Sequence, residues 1–240
     1  MRTLYDKSES GVAVLAAGAY VLLGWGAGAL DRAVGIEFLF RAAVFAGMTA
    51  AILLFIRSSG RAAYYGLQRP VLPARRFLWY LPLAAIVSGN LWFGVALRDA
   101  AAQTALHLAV MLLIGILEEL LFRGLLYRAL EQKSETAAIV VSSLVFGLLH
   151  LLNLTGGTAQ PLVLLQTAFA TALGFVFALI LARGKSLIPC IAAHCAINIT
   201  AVFTDQTVLT LPRCAAVNGS MTGIAALYFL FLFLTADRQS

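Results

Sequence analysis

Apolar residues run along this chain in long blocks separated by short polar stretches, rather than recurring every third or fourth position as on a surface helix. A run of roughly 20 residues, rising about 1.5 Å per residue, crosses a hydrocarbon core about 30 Å thick. Drawn on that basis, the chain holds eight spans, roughly 11–30, 36–56, 77–97, 104–127, 136–152, 161–182, 186–204 and 221–235, the last being short for a crossing. Backbone polar groups in lipid must be satisfied within their own segment, so the expected fold is all-α, a polytopic bundle of about eight transmembrane helices. No repeat, low-complexity tract or soluble insertion interrupts the pattern. Residues 1–240 read as a single transmembrane domain with its polar motifs in a core at 104–204.

Composition agrees with the pattern: charged residues make up 12% of the chain, against roughly 25% in soluble domains. The apolar stretch Gly11–Leu30 exceeds a usual signal-peptide h-region and reads as an uncleaved first span. Cys190, Cys195 and Cys214 have neither metal nor redox spacing and read as packing residues. The net charge of +6 would suit a polyanion, but its placement argues against one. With the N-terminus cytoplasmic, Arg2, Lys7, Arg57, Arg61, Arg69, Arg75, Arg76, Arg128, Lys133, Arg183, Lys185 and Arg238 fall in inner segments, against Arg32, Arg98 and Arg213 outside. That asymmetry satisfies the positive-inside rule. The charge surplus reports orientation in a cell (inner) membrane, and no nucleic-acid partner is expected. The connection Arg57–Arg76 reads as a cytoplasmic loop against anionic headgroups.

Against this background the stretch Leu117–Gly124 stands out, because it puts Glu118, Glu119 and Arg123 inside an apolar span. A charged side chain at mid-membrane costs roughly 2.5–3.5 kcal/mol on insertion scales, so three together default to a functional role. Glu119 and Arg123 stand at i and i+4 with the acid first, the favourable order for an ion pair. Glu118 is rotated about 100° away and lacks a full partner, which suits a general base. A buried structural salt bridge is the plainer alternative on these residues alone.

Two later spans carry matching polar pairs. Phe146 and His150 share one helical face, as do His194 and Asn198, the latter two both able to present N–H donors. Other polar positions read as structural. Glu37 and Arg41 are expected to form an ion pair at a span end, Asn90 to bond across to a neighbouring helix, and His107 to sit at the outer interface. Gly24 and Gly28 mark a packing face, and Gln166 lies in a scaffold span. A carboxylate base, an imidazole to hold a water and two donors for an oxyanion are the parts needed to hydrolyse an amide with an activated water. Span ends drawn from hydropathy nevertheless place His150 roughly 10 Å nearer the outer face than Glu118.

The motifs Glu118-Glu119-x-x-x-Arg123, Phe146-x-x-x-His150 and His194-x-x-x-Asn198, in that order on successive helices, resemble those of the CPBP intramembrane proteases, relatives of the eukaryotic CAAX prenyl endopeptidase. The resemblance implies a glutamic protease in which Glu118 activates water with help from His150, while His194 and Asn198 steady the oxyanion. It further implies that Glu119 and Arg123 support the active carboxylate and that Phe146 packs the site. It favours catalysis without a cofactor. The alternative is a zinc ion on Glu118, His150 and His194, a His₂Glu set with one open position. The implied substrate is a membrane-anchored or lipidated protein or peptide, reached from the bilayer through a chamber opening toward the cytosol. A non-catalytic scaffold or bacteriocin-immunity protein of the same fold is the competing reading. A proton- or cation-coupled transporter is a third, though the inverted symmetry expected of one is not visible.

Overall fold

The computed structural model describes residues 8–71, 80–97 and 99–236. Helix α1 (Glu9–Val34) begins at Ser8, whose hydroxyl accepts the Gly11 amide at 3.0 Å, and ends at Gly35, left-handed at φ 77°. Helix α2 (Leu39–Ser59) follows after a tight turn, and its N-terminus is capped from outside. Asp31 of α1, fully buried, accepts the Phe40 amide at 2.7 Å and Arg41 Nε at 2.6 Å. This clasp replaces the expected Glu37–Arg41 pair. Glu37 lies in the turn ahead of α2, so helical i,i+4 geometry does not apply to it.

Helix α3 (Leu81–Ser88) is extended by a 3₁₀ segment, Gly89–Phe93. Helix α4 (Ala101–Glu119) passes into a π-helical stretch, Leu120–Tyr127, and a last α-helical turn, Arg128–Glu131. Then come α5 (Glu135–Leu149) with a 3₁₀ extension His150–Gly156, α6 (Gln160–Gly184), α7 (Ile188–Val202) and α8 (Leu211–Ala236). No strand forms among the described residues.

Six of these segments are long and apolar enough to cross a membrane: Glu9–Val34, Leu39–Ser59, Ala101–Glu131, Glu135–Gly156, Gln160–Gly184 and Leu211–Thr235. The other two, Leu81–Phe93 and Ile188–Val202, are shorter, so the uniform set of eight full spans is not what forms. The eighth element, expected to be short, is instead 26 residues long. Its polar residues do not break it, because they bond back into the helix: Asn218 Nδ2 donates to Cys214 O at 3.0 Å and Thr222 Oγ1 to Asn218 O at 2.7 Å. Asn90 bonds across as expected, to Ile197 O at 2.8 Å.

The helices alternate in direction, and side-chain contacts define two ends. At one end the Tyr64 hydroxyl donates to Glu9 Oε2 at 2.9 Å, and burial holds that phenol above its ordinary pKa, so it remains a donor. Gln132 also bonds Glu9, Arg128 pairs with Glu131, and Lys185 Nζ lies 3.8 Å from Glu131 Oε1. Arg57, Arg61, Arg69, Arg128, Lys133, Arg183 and Lys185 all belong to this end. At the other end Gln103 Nε2 donates to Glu37 O at 3.2 Å, His107 stacks on Phe38 with centroids 4.2 Å apart, and Arg213 bonds Trp92 O. Only Arg32, Arg41 and Arg213 represent the basic residues there among those described. Arg2, Lys7, Arg75, Arg76, Arg98 and Arg238, with the start of the expected third span, lie outside the described residues.

The stretch expected to lie loosely against headgroups does more than that where it is described. Residues 60–71 fold under the bundle with Tyr65 fully buried. Gly66 O accepts the Leu187 amide at 2.8 Å, and Ser186 Oγ donates to Gln68 O at 2.6 Å. This plug closes the basic end.

Close helix contacts rest on missing side chains. A Cβ at Gly147 of α5 would fall 2.9 Å from Thr171 Cα of α6, and one at Gly115 of α4 would fall 3.1 Å from the Cys195 amide of α7. Forcing atoms into such contacts costs typically 1–3 kcal/mol. Gly147→Ala and Gly115→Ala are therefore expected to lower the thermal unfolding midpoint in detergent, whereas Gly18→Ala, whose Cβ would meet nothing within 4 Å, leaves it in place. Equal midpoints for all three would remove these contacts as determinants of the packing.

Candidate active site

The last turn of α4 brings two carboxylates to the edge of the π-helical stretch, and all eight residues of that stretch are buried. π-Turns recur at functional sites, and no residue spacing signals this one. Glu119 and Arg123, both 0% exposed, pair across it with Arg123 Nη1 3.1 Å from Glu119 Oε1. Arg123 is sandwiched as well as paired. Its Cζ lies 4.1 Å from the Phe146 ring centroid and 5.7 Å from that of Phe177, and its Nη2 occupies the room left by the missing side chain of Gly174.

From α7, His194 enters between the two carboxylates. Its Nδ1 lies 2.9 Å from Glu119 Oε1, the same oxygen that accepts from Arg123 Nη1, so Nδ1 is placed as the donor. Its Nε2 faces Glu118 Oε2 at 3.6 Å, beyond a direct hydrogen bond. On the other side of Glu118, the Tyr20 hydroxyl of α1 donates to Oε1 at 2.6 Å. Side chains from α1, α4 and α7 thus form one line, Tyr20–Glu118–His194–Glu119–Arg123.

His150 stands where α5 turns into its 3₁₀ extension, and its Nδ1 lies 3.0 Å from Phe146 O. A carbonyl only accepts, so Nδ1 carries the proton and Nε2 is left for other partners. Asn198 Nδ2 donates one hydrogen to Met111 O at 3.1 Å, and the amide keeps a second N–H. Phe146 meets the His150 and His194 rings edge-on, with centroids 5.3 and 5.7 Å away, and so fixes both imidazoles.

A cavity of about 370 Å³ connects these groups. Glu118, Phe146, His150, His194 and Asn198 all line it, while Glu119 and Arg123 lie behind its wall. Tyr20, Trp25, Arg41, Asn153 and Gln166 also line it, none of them singled out as site residues by the sequence. The apparent mismatch in depth between Glu118 and His150 disappears once true helix ends are used. Glu118 is about 20 Å from its helix end at Glu131, and His150 about 22 Å from Glu135. The fourth span, expected to end near residue 127, continues as helix through Arg128–Glu131.

Most of the cavity lining lies on the side of Glu118 away from the basic end. Along α4 its walls run from Phe122 through Glu118 and Ile114 to Met111, along α1 from Tyr20 to Trp25, and along α7 from His194 to Asn198, always away from that end. The deep residues Phe122 and Phe146 are buried, whereas Trp25, Asn153 and Gln166 at the mouth are exposed. Asn153 Nδ2 donates to Gln166 Oε1 at 2.9 Å, tying the α5 extension to α6 at the rim. Between the lined part of the cavity and the basic segments lie the buried π-helical stretch and Tyr65 of the connection 60–71.

Glu118, His150 and His194 share the cavity, but among the described residues no group of three His, Cys, Asp or Glu side chains stands together as a metal ion would require. Nδ1 of each histidine bonds Phe146 O or Glu119, which leaves Nε2 of each ring for a ligand.

Residues 100–200 match the family model described as Rce1-like, type II CAAX prenyl endopeptidase. The matched stretch holds every motif residue from Glu118 to Asn198, while Tyr20, Trp25 and Arg41 lie outside it. No curated protein and no solved structure matches the chain.

Removing one partner of a buried ion pair leaves the other charge uncompensated, at a cost of about 3–5 kcal/mol. Arg123→Ala is expected to destabilise the folded protein on that scale in detergent unfolding. Arg123→Ala combined with Glu119→Gln is expected to recover part of the loss. A double variant no more stable than the single one would show that Arg123 acts by packing on Phe146 instead.

Proposed function

With residues 100–200 carrying an Rce1-like, type II CAAX prenyl endopeptidase domain, we propose that this integral membrane protein hydrolyses a peptide bond of a membrane-anchored or lipidated substrate, using water activated by Glu118. The observation that carries the reading is the convergence of Glu118, His150, His194 and Asn198 on one cavity walled by apolar helices.

The chemistry follows from the free atoms. Tyr20 occupies Oε1 of Glu118, so Oε2 is the oxygen that takes a proton from water. Nε2 of His150 accepts the water's second hydrogen and aims it. Hydroxide adds to the carbonyl carbon, and the π-electrons of the C=O bond move onto oxygen. The spare N–H of Asn198 then donates to this oxyanion, and His194 Nε2 does so when its ring carries both protons. As the C–N bond breaks, the proton held by Glu118 passes to the leaving nitrogen. Glu119 holds the His194 ring through Nδ1, and Arg123 holds Glu119. No metal takes part in this scheme.

A detergent-micelle assay on a membrane-anchored peptide library tests the reading in three arms. Glu118→Gln removes the base and is expected to lower turnover by roughly 10²–10⁴-fold with the thermal midpoint preserved. Tyr20→Phe leaves the base but frees its second oxygen, and lowers kcat by about tenfold, close to one hydrogen bond's worth, with KM unchanged. Dialysis against a chelator leaves the wild-type rate as it was. Full activity in Glu118→Gln would end the proposal, and loss of activity to the chelator would replace it with a metalloprotease.

A further inference from the structure

We infer that Arg41 is a substrate-positioning residue, whose Nη groups take a carboxylate carried by the substrate about three to four residues from the reacting carbonyl. The inference rests on the proposed hydrolysis only in treating the cavity as the place where the substrate lies. Three observations carry it.

The first is how Arg41 is held. Its Nε donates to Asp31 Oδ2 at 2.6 Å, and its Cζ lies 4.6 Å from the centroid of the Phe38 ring, which His107 backs at 4.2 Å. Phe38 stands at φ 69°, a left-handed conformation that side chains larger than glycine's seldom adopt. Such a residue persists only where its surroundings over-determine it, and here they seat its ring under the guanidinium. Asp31 uses one N–H of that group. Among the described residues no hydrogen bond or ion pair uses Nη1 or Nη2, the edge that matches a carboxylate bidentately.

The second is charge. Arg32 Nη1 and Arg41 Nε both lie 3.8 Å from the point where a Cβ of Gly28 would stand. Asp31, bonded to Arg41, is the one carboxylate paired with either arginine among the described residues. Two cations against one paired carboxylate leave a positive charge that attracts an anion.

The third is place. Arg41 lines the same cavity as Glu118. On α1, Tyr20 holds Glu118 Oε1, and Gly28, eight positions later, adjoins Arg41. That stretch of helix rises about 12 Å, which an extended peptide covers in three or four residues at about 3.3 Å each. A carboxylate at this spacing fixes which peptide bond rests over Glu118.

The test reads binding on the full chain carrying Glu118→Gln, so no probe is consumed and the result does not depend on hydrolysis. The probes are three N-acylated fluorescent peptides of Ala, Val and Leu: one with a free C-terminus, one amidated but carrying a single Asp, and one amidated without any acid. By fluorescence anisotropy in neutral detergent, at least one of the first two is expected to bind about tenfold or more tighter than the third. Which of them does so tells a chain-terminal carboxylate from a side-chain one. Arg41→Gln should bring that ratio to about one, and Arg41→Lys, which keeps the charge without the fork, should retain part of it. Because Arg41→Gln strips buried Asp31 of its partner, the pair Asp31→Asn with Arg41→Gln is measured beside it, with the thermal midpoint as the check on folding. Equal binding of the three peptides to the chain that keeps Arg41, or a preference that survives its replacement, would overturn the assignment. Phosphatidylglycerol bound in an Arg41-dependent way while the peptides bind alike would give the site to a lipid headgroup instead. Full turnover by Glu118→Gln would end the hydrolytic scheme and leave these ratios untouched, so the two proposals fail separately.

Discussion

A carboxylate with no exposure, Glu119, is held inside an apolar bundle, and three helices meet around the partners of its Oε1, while its Oε2 has no hydrogen-bond partner among the described residues. Desolvating such a group costs several kcal/mol, which only close and well-aligned partners return. Arg123 supplies the opposite charge one turn away and His194 supplies a hydrogen bond from another helix. Arg123 in turn needs the Phe146 and Phe177 rings, which stabilise a cation without bringing in water. The pair therefore fixes α7, α5 and α6 against α4. Glu118, the neighbouring residue, inherits that rigidity while pointing into the cavity, so it is positioned by an interaction it does not itself make.

Small residues allow the polar line to close. At Gly115 the Cys195 backbone comes near enough to set His194 beside the carboxylates, and at Gly174 the Arg123 guanidinium and the Ser143 backbone both come within 3.2 Å of where a Cβ would stand. In lipid, association gains little from hydrophobic burial and depends on close packing and interhelical hydrogen bonds. Both kinds of contact are concentrated around the site, whereas the outer faces of α1 and α8 expose Leu15, Leu22, Leu227 and Phe233 as residues in contact with acyl chains would.

How much of this was legible in the sequence depends on the range of the signal. The all-α bundle and the motif positions were readable because apolar runs and i,i+4 spacing are local patterns. Asp31 was not read as the partner of Arg41, because that contact spans a turn whose geometry no spacing rule gives. Tyr20 was overlooked for a different reason. One tyrosine in an apolar helix looks like packing, and its hydroxyl acquires a role only when α1 is laid against Glu118. The fourth span was drawn to end at residue 127 because charge follows it, whereas the helix runs on to Glu131 with Arg128 buried at 6% exposure and paired with Glu131. The two short helices were overestimated because hydropathy counts apolar residues in turns, such as Leu187 and Phe203, as if they were helical.

The shortness of α7 then becomes informative. A helix of 15 residues rises about 22 Å, less than the hydrocarbon thickness, so at least one end lies where its backbone cannot reach water. Orphan groups at such an end must find protein partners. At the start of α7 the plug provides them: Gly66 O takes the Leu187 amide, and Ser186 Oγ takes up the Ile188 amide at 3.3 Å while donating to Gln68 O. Gly66 can come this close only because it has no side chain and sits at φ +77°, where a Cβ would fall 3.1 Å from the Leu187 nitrogen. The loop that lets α7 begin within the bundle, and so brings His194 level with Glu118, is the same loop that seals the basic end. The depth of His194 and the packing of the basic end are consequently set by the same contacts. A variant that displaced this loop would therefore also unseat the histidine.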